Sequence, residues 1–169
     1  LGDIAAALSA GTDYGSILLA GIIFLIAGFG VKVAAVPFHM WAPDIYHGAP
    51  TPVSAFLITA SEGAAFAALI RIFLVGLPSM EPQWTTLFAV LAVITMTLGN
   101  VAAITQTQVK RMMAYSAVAQ AGYVLVGLAV ATPLAVSAML YYLLAYALMT
   151  IGVFAVIILM NNHRDGDLI

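Results

Sequence analysis

Two ionisable residues, Lys32 and Glu62, lie 30 positions apart within stretches that are otherwise apolar. Glu62 follows Thr51 by 11 residues, which in a helix is a rise of about 16 Å and places the carboxyl near the middle of a bilayer. An ionisable group at that depth costs roughly 2.5–3.5 kcal/mol on insertion scales and by default marks a proton or ion path. Thr59 lies on the same helix face, three residues earlier. The alternative is a protonated Glu62 that makes one buried hydrogen bond.

Lys32 stands five residues before Pro37, and a proline removes a backbone donor and disrupts a helix. Two interpretations remain open. If the helix continues, the ammonium snorkels to the membrane surface. If the helix is broken at Pro37, Lys32 is held inside the membrane beside freed carbonyl groups, where it is able to exchange protons.

The segment after Pro37 carries His39, Asp44 and His47. Their spacing matches no zinc pattern and the segment is interrupted by proline, so the sequence predicts no metal site. Turn and cap roles are the simpler interpretation, with His39 as a candidate proton relay.

Polar residues also form a stripe at helical spacing on one later stretch, where Ser116, Gln120, Tyr123 and Gly127 share a face. Such stripes favour hydrogen bonds between helices over a hydrated path. Gly28 and Gly30 lack the strand and third glycine of a nucleotide loop, so they are interpreted as packing residues.

The composition indicates the elements that must position these residues. Of 169 residues 64% are apolar and 7% are charged, which excludes a soluble enzyme, a nucleic-acid binder and a disordered chain. The absence of cysteine excludes disulfides, thiolate metal sites and iron–sulfur ligation within these residues. The chain begins at Leu1 without a basic leader, and we expect an internal part of a larger polytopic protein.

Long apolar runs without period-2 alternation predict an all-α membrane protein, with residues 1–169 as one transmembrane unit. Thr51-Pro52 and Thr132-Pro133 predict helix starts, with a threonine cap before a proline in the first turn. Five runs are long enough to cross a bilayer: residues 15–36, 51–77, 84–106, 112–131 and 134–160.

Charged residues predict the orientation, because connections between spans alternate between the two sides. One side carries only acids, and the other carries the basic residues that positive-inside topology places in the cytoplasm. The acids are Asp3, Asp13 and Glu81, and the basic residues are Lys110, Arg111 and Arg164.

Two blocks of sequence resemble a known family. Residues 30–44, GVKVAAVPFHMWAPD, are similar to the FKxxxVPFHxWxPD segment of antiporter-like proton-pumping subunits, and IYHGAPTPV at 45–53 continues in the form typical of the subunit N (subunit 2) family of NADH:quinone oxidoreductase, complex I. Residues 97–123, TLGNVAAITQTQVKRMMAYSAVAQAGY, resemble that family's second block, GNxxAxxQxxxKRxxAYSSxxxxGY. The resemblance covers nearly the whole chain.

The resemblance implies spans seven to eleven of about fourteen, within inverted five-helix repeats that each hold a broken helix. Lys32 matches the family's broken-helix lysine, a central proton-relay group. Glu62 stands where the family usually has a second lysine or a histidine, so this sequence departs from the pattern at that position. Lys110 and Arg111 match a motif of structural role, and Asp44, Tyr115 and Gln120 are candidate supporting residues beside Thr59.

The function that the resemblance implies is proton translocation coupled to quinone reduction, with Lys32, Glu62 and His39 as the relay. The chain would bind no cofactor itself, and NADH, FMN, iron–sulfur clusters and quinone would belong to the complex. The implied partners are the lipid bilayer and the antiporter-like M and small K-type subunits, in a bacterial inner membrane. A sodium/proton antiporter subunit, a hydrogenase- or ferredoxin-linked complex, and a structural spacer that no longer pumps are the alternatives.

Overall fold

A computed structural model describes residues 1–9 and 15–163, and all of the regular structure in these residues is helical. Asp13 and Arg164, which enter the orientation argument, lie outside the described residues. The α-helices are α1 (Gly2–Ser9), α2 (Gly15–Lys32), α3 (Trp41–Gly48), α4 (Thr51–Phe56), α5 (Glu62–Ile70), α6 (Glu81–Ile104), α7 (Val109–Val130) and α8 (Pro133–His163). Two π-helical turns, Leu57–Ser61 and Arg71–Gly76, follow α4 and α5, and a 3-10 turn, Pro78–Met80, precedes α6.

Five helices of the described chain are long and apolar enough to cross a membrane, which confirms the predicted all-α membrane architecture. Short helices α1 and α3 were not predicted, because eight residues are too few to show a membrane-spanning pattern. The spans are Gly15–Lys32, Thr51–Gly76, Pro78–Ile104, Val109–Val130 and Pro133–Asn161.

The bounds of the helices differ from the predicted ones mainly at polar ends. Helix α7 begins at Val109 and includes Lys110 and Arg111, whereas the predicted span began at residue 112. Helix α6 begins at Glu81 and α8 continues to His163. An apolar run ends at the first charged or polar residue, but the backbone hydrogen bonds of a helix continue through such residues.

The two threonine–proline pairs behave differently. The Thr132 hydroxyl accepts a hydrogen bond from the Ala135 N–H at 3.2 Å, as a cap should. Thr51 is instead the first residue of α4, and Pro50 occupies the capping position without a side-chain hydrogen bond. The prediction that Thr51 caps this helix was therefore wrong, because Thr51 already lies in the first turn and the extended Pro50 precedes the helix.

Apolar side chains form one core where the second span ends and the third span begins. Phe73, Trp84 and Phe88 contact one another edge to face, with ring centroids 4.8 Å apart for the Phe73–Phe88 pair. The Trp84 indole N–H donates to the Leu77 carbonyl at 2.9 Å, so its polar atom is satisfied. A second core surrounds the segment between α2 and α3; its buried members include Ala34, Val36, Tyr46, Ile58, Val118 and Phe154.

Helices α6 and α7 form the most extensive helix pair of the described chain. A Cβ at Gly99 would lie 2.6 Å from the backbone nitrogen of Ala119, so only glycine permits this approach. A Cβ at Gly30 would likewise lie 2.7 Å from the Phe38 ring, which agrees with its interpretation as a packing residue. A Cβ at Gly28 would have no atom of another helix within 4 Å, so no close packing at this glycine is seen among the described residues.

The topology can be tested at the two ends of α6. Ser79 and Thr107 are both exposed and lie beyond opposite ends of this helix. We expect single cysteines at these positions, in the full-length protein in intact membranes, to react with an impermeant thiol reagent from opposite faces, and Thr107→Cys from the cytoplasmic face. Labelling of Ser79→Cys from the cytoplasm would contradict the topology.

Candidate functional site

The site begins where α2 ends. The Ala35 N–H donates to the Gly30 carbonyl at 2.9 Å and the Ala34 N–H to the Val31 carbonyl at 3.3 Å. Together with a positive φ of 53° at Ala34, this pattern is a Schellman motif, which ends a helix by satisfying its last carbonyl groups. Lys32 is therefore the last residue of α2, and the ammonium lies at the negative end of the helix dipole.

The helix does not break at Pro37, where one of the two interpretations of the sequence placed the break. Its last residue, Lys32, lies five residues before that proline. Proline marks the interruption without ending the helix, because the left-handed Ala34 has already turned the chain. The break is held by polar contacts to its surroundings. The Val36 N–H donates to the buried Thr95 hydroxyl of α6 at 3.1 Å, and the Trp41 indole N–H donates to the Val31 carbonyl at 2.7 Å.

The Lys32 ammonium donates to the Ser61 hydroxyl at 2.8 Å. Ser61 is the last residue of the π-helical turn Leu57–Ser61, and π turns inside α-helices are frequent at functional sites. The neighbour of Ser61 in the chain is Glu62. One hydrogen bond therefore connects the end of the broken helix with the residue next to the buried acid.

Glu62 lies near the middle of the second span and is 4% exposed. Its Oε1 accepts a hydrogen bond from the Tyr46 hydroxyl of α3 at 2.7 Å. The carboxyl also borders a small cavity of about 10 Å³, which is near the smallest size that admits one water molecule. Polar side chains in the lining of that cavity are Thr59, Gln120 and Tyr146.

Lys32 and Glu62 form no direct ion pair in the described chain, where the salt bridge is Arg111–Asp44 at 2.9 Å. Each group has a different hydrogen-bond partner: the Lys32 ammonium donates to the Ser61 hydroxyl, and the Glu62 carboxyl accepts from the Tyr46 hydroxyl. The two groups remain neighbours through Ser61. A change of charge on one group therefore changes the electrostatic energy of the other, with Ser61 as the residue between them.

Of the remaining predicted residues, some line the cavity beside Glu62 and others lie away from it. The Thr59 hydroxyl donates to the Ala55 carbonyl of its own helix at 2.7 Å, and Gln120 accepts from the Tyr142 hydroxyl. His39 is buried with its ring 6.5 Å from that of Tyr115, and no hydrogen bond in the described chain joins it to Lys32 or Glu62. The structure thus brings Thr59 and Gln120 to Glu62, and leaves His39 beside α7.

Asp44 and the basic pair at the start of α7 connect α3 to that helix. Arg111 binds Asp44, and the Lys110 ammonium lies 3.5 Å from the Ala49 carbonyl. These contacts hold the second half of the broken helix against α7, which agrees with a structural role for the basic pair. Among the described residues, no three His, Cys, Asp or Glu side chains group as a metal site would require.

A family model described as NADH:quinone oxidoreductase/Mrp antiporter, TM, matches residues 3–168 of the chain. The chain belongs to this family. Subunit N of the NADH-quinone oxidoreductase of Desulforamulus reducens is 46% identical over 169 residues, which cover 99% of this chain and 35% of that relative. The chain therefore spans about a third of the length of the curated relatives it matches.

Solved structures of the family have the same fold. Respiratory complex I from Thermus thermophilus matches with a TM-score of 0.72 and 38% identity, over 86% of this chain and 31% of the matched one. The Mrp complex from Dietzia sp. matches with a TM-score of 0.77, over 83% and 26%, and at 23% identity this likeness shows the fold alone. The resemblance stated from the two sequence blocks is confirmed.

Sequence reasoning missed two residues of the site in this family member. Tyr46 and Ser61 make the hydrogen bonds to Glu62 and Lys32, yet neither was a candidate. A signal for Ser61 existed, since it is a polar residue beside a buried acid inside a span. Tyr46 precedes Glu62 by 16 positions on another helix, and no spacing rule connects the two.

Proposed function

We propose that this chain is part of an N-type membrane subunit of a proton-translocating NADH:quinone oxidoreductase. The proposal includes the antiporter-like M and small K-type subunits as neighbours and the bacterial inner membrane as the location. Support comes from the family match over residues 3–168 and from the names of the relatives. Those names include NADH-quinone oxidoreductase subunit N in several bacteria.

The observation that carries the proposal is the arrangement Lys32–Ser61 next to Glu62–Tyr46. It joins a cation at a helix break to a carboxyl buried near the middle of a span. Groups of this kind are expensive in a bilayer, and in membrane proteins they are associated with proton relays. Irregular backbone at this depth is tolerated where it is buried in protein or lines a cavity, as the break between α2 and α3 does.

In this function Lys32 and Glu62 hold and release protons in turn. The charge on each group alters the free energy of protonating the other, because the Lys32 ammonium is hydrogen-bonded to Ser61, the residue next to Glu62. Ser61 holds the ammonium, and Thr59 and Gln120 line the cavity beside the carboxyl. His39 and Tyr115 form a second pair of titratable rings between the break and α7, and we propose His39 as a relay residue on that side.

The redox chemistry of such a complex would be supplied by NADH, FMN, iron–sulfur clusters and quinone. Iron–sulfur clusters are held by cysteine thiolates, and the 169 residues contain no cysteine, so these residues do not fit such a group. Electron transfer through such clusters would therefore take place outside these residues. Its contribution is the movement of protons in response to changes in its neighbours.

The test uses the assembled complex with the full-length subunit, purified and reconstituted in sealed vesicles. Reduction of quinone by the electron donor is expected to drive proton uptake or release that an uncoupler abolishes, in sodium-free medium. A sodium gradient without electron donor should move no more protons than it does in vesicles without the complex. Proton movement that needs the sodium gradient and not the donor would support a sodium/proton antiporter instead.

A further inference from the structure

We propose that Tyr46 is the positioning residue of Glu62, and that it connects the acid to the end of α2 through Trp41. The inference deepens the proposed function, because it matters for pumping only if Glu62 is a relay residue. It concerns a contact between two side chains that are both nearly inaccessible. Tyr46 is 1% exposed and Glu62 is 4% exposed.

The contact is directed and short. The Tyr46 hydroxyl donates to Glu62 Oε1 at 2.7 Å, which is the ordinary length of a good O–H···O hydrogen bond. Buried carboxyl oxygens need such donors, and the other buried titratable group beside this carboxyl, Tyr146, makes no hydrogen bond to it in the described chain. The Lys32 ammonium binds Ser61 instead. Tyr46 is thus the side chain that fixes the direction of the Glu62 carboxyl.

Tyr46 is itself held at both ends. Its backbone carbonyl accepts a hydrogen bond from the buried Ser54 hydroxyl at 2.7 Å. Its ring meets the Trp41 ring edge to face, with centroids 5.6 Å apart and an interplanar angle of 78°. A tyrosine restrained in this way has little freedom to move its hydroxyl away from Glu62 while α3 stays in place.

Trp41 extends the connection to the lysine. Its indole N–H donates at 2.7 Å to the carbonyl of Val31, the residue before Lys32. Contacts therefore run from the last turn of α2 through Trp41 and Tyr46 to Glu62, beside the Lys32–Ser61 hydrogen bond. A displacement of the broken helix would change the hydrogen bond at Glu62 together with the position of Lys32.

The test is infrared spectroscopy of the whole purified complex over a pH series, so that protonated and ionised carboxyl forms are both observed. The Glu62 bands are assigned as those lost in Glu62→Gln. In Tyr46→Phe, which removes one oxygen atom, we expect the protonated Glu62 C=O band to move to higher wavenumber, because its oxygen has lost a donor. Tyr142→Phe is the matched control, since that hydroxyl donates to Gln120, and it should leave the band in place.

An unchanged Glu62 band in assembled Tyr46→Phe complex would overturn the proposal. If Tyr46→Phe does not assemble, 3-fluorotyrosine at position 46 keeps the hydroxyl and makes it a stronger donor. The band should then move to lower wavenumber, and no movement would again overturn the proposal. The spectra do not depend on pumping, so wild-type pumping by Glu62→Gln would remove Glu62 from the proposed relay and leave the assignment of Tyr46 to be decided by its own band.

Discussion

Replacing Lys32 with alanine is expected to lower proton pumping by the assembled complex at least tenfold, while the complex still assembles. A tenfold loss of rate corresponds to about 1.4 kcal/mol of activation free energy. The physical reason is that the ammonium lies at the end of a broken helix, hydrogen-bonded to the residue beside a buried acid. Without it, the end of α2 has no side chain that takes up a proton and passes it on. The measurements are the rate of proton movement in reconstituted vesicles and the number of protons moved per electron.

Arginine at position 32 should not restore pumping, since a guanidinium keeps its charge in proteins and does not release a proton. It does retain a cation at the end of α2, so Lys32→Arg separates charge from proton exchange. Lys110→Ala is a useful comparison, because that ammonium lies near the Ala49 carbonyl, in the connection between α3 and α4. If Lys32→Ala complex pumps the wild-type number of protons per electron, Lys32 is a snorkelling anchor.

The position of the helix break illustrates how far sequence reasoning reaches. Pro37 correctly indicated that the helix is interrupted, since proline is the residue that most strongly disfavours a helix interior. The actual end of α2 depends on a left-handed alanine, Ala34. Alanine gives no signal of a positive φ in a sequence, and glycine would have done so. The surrounding core and the Val36–Thr95 hydrogen bond hold that conformation, and both are tertiary features.

The polar stripe of α7, in contrast to the end of α2, was predicted correctly from the sequence. Helical spacing predicted one polar face, and the interpretation as contacts between helices agrees with the structure. Tyr123 bonds Asn100 of α6, and Gln120 bonds Tyr142 of α8. Periodicity within one helix is fixed by local geometry, so it is visible in a sequence. Which partner each polar group meets depends on helix packing, and for that reason the Tyr46–Glu62 contact was missed.

Glu62 and Lys32 are expected to be energetically coupled, although they share no direct ion pair. Ser61 binds the Lys32 ammonium and precedes Glu62 in the chain, so the two charges are separated by one residue. Residues that are coupled through a shared neighbour typically show coupling energies of about 0.5–3 kcal/mol. That is less than the roughly 3–5 kcal/mol expected for breaking a buried pair in contact. Since an orphaned buried group changes protonation instead of staying charged, the coupling should appear in pumping more than in unfolding.

A double-mutant cycle measures this coupling, with Lys32→Met, Glu62→Gln and the two together in the assembled complex. The logarithms of the pumping rates and the thermal unfolding midpoints are compared for all four forms. Lys32→Met combined with Glu81→Gln is the matched control, because Glu81 is an exposed acid at the start of α6 and its effect should add to that of Lys32. Additive effects for Lys32 and Glu62 as well would mean that the two do not interact. Glu62 would then require a basic partner outside these residues, and the Ser61 contact would serve only to hold the lysine in place.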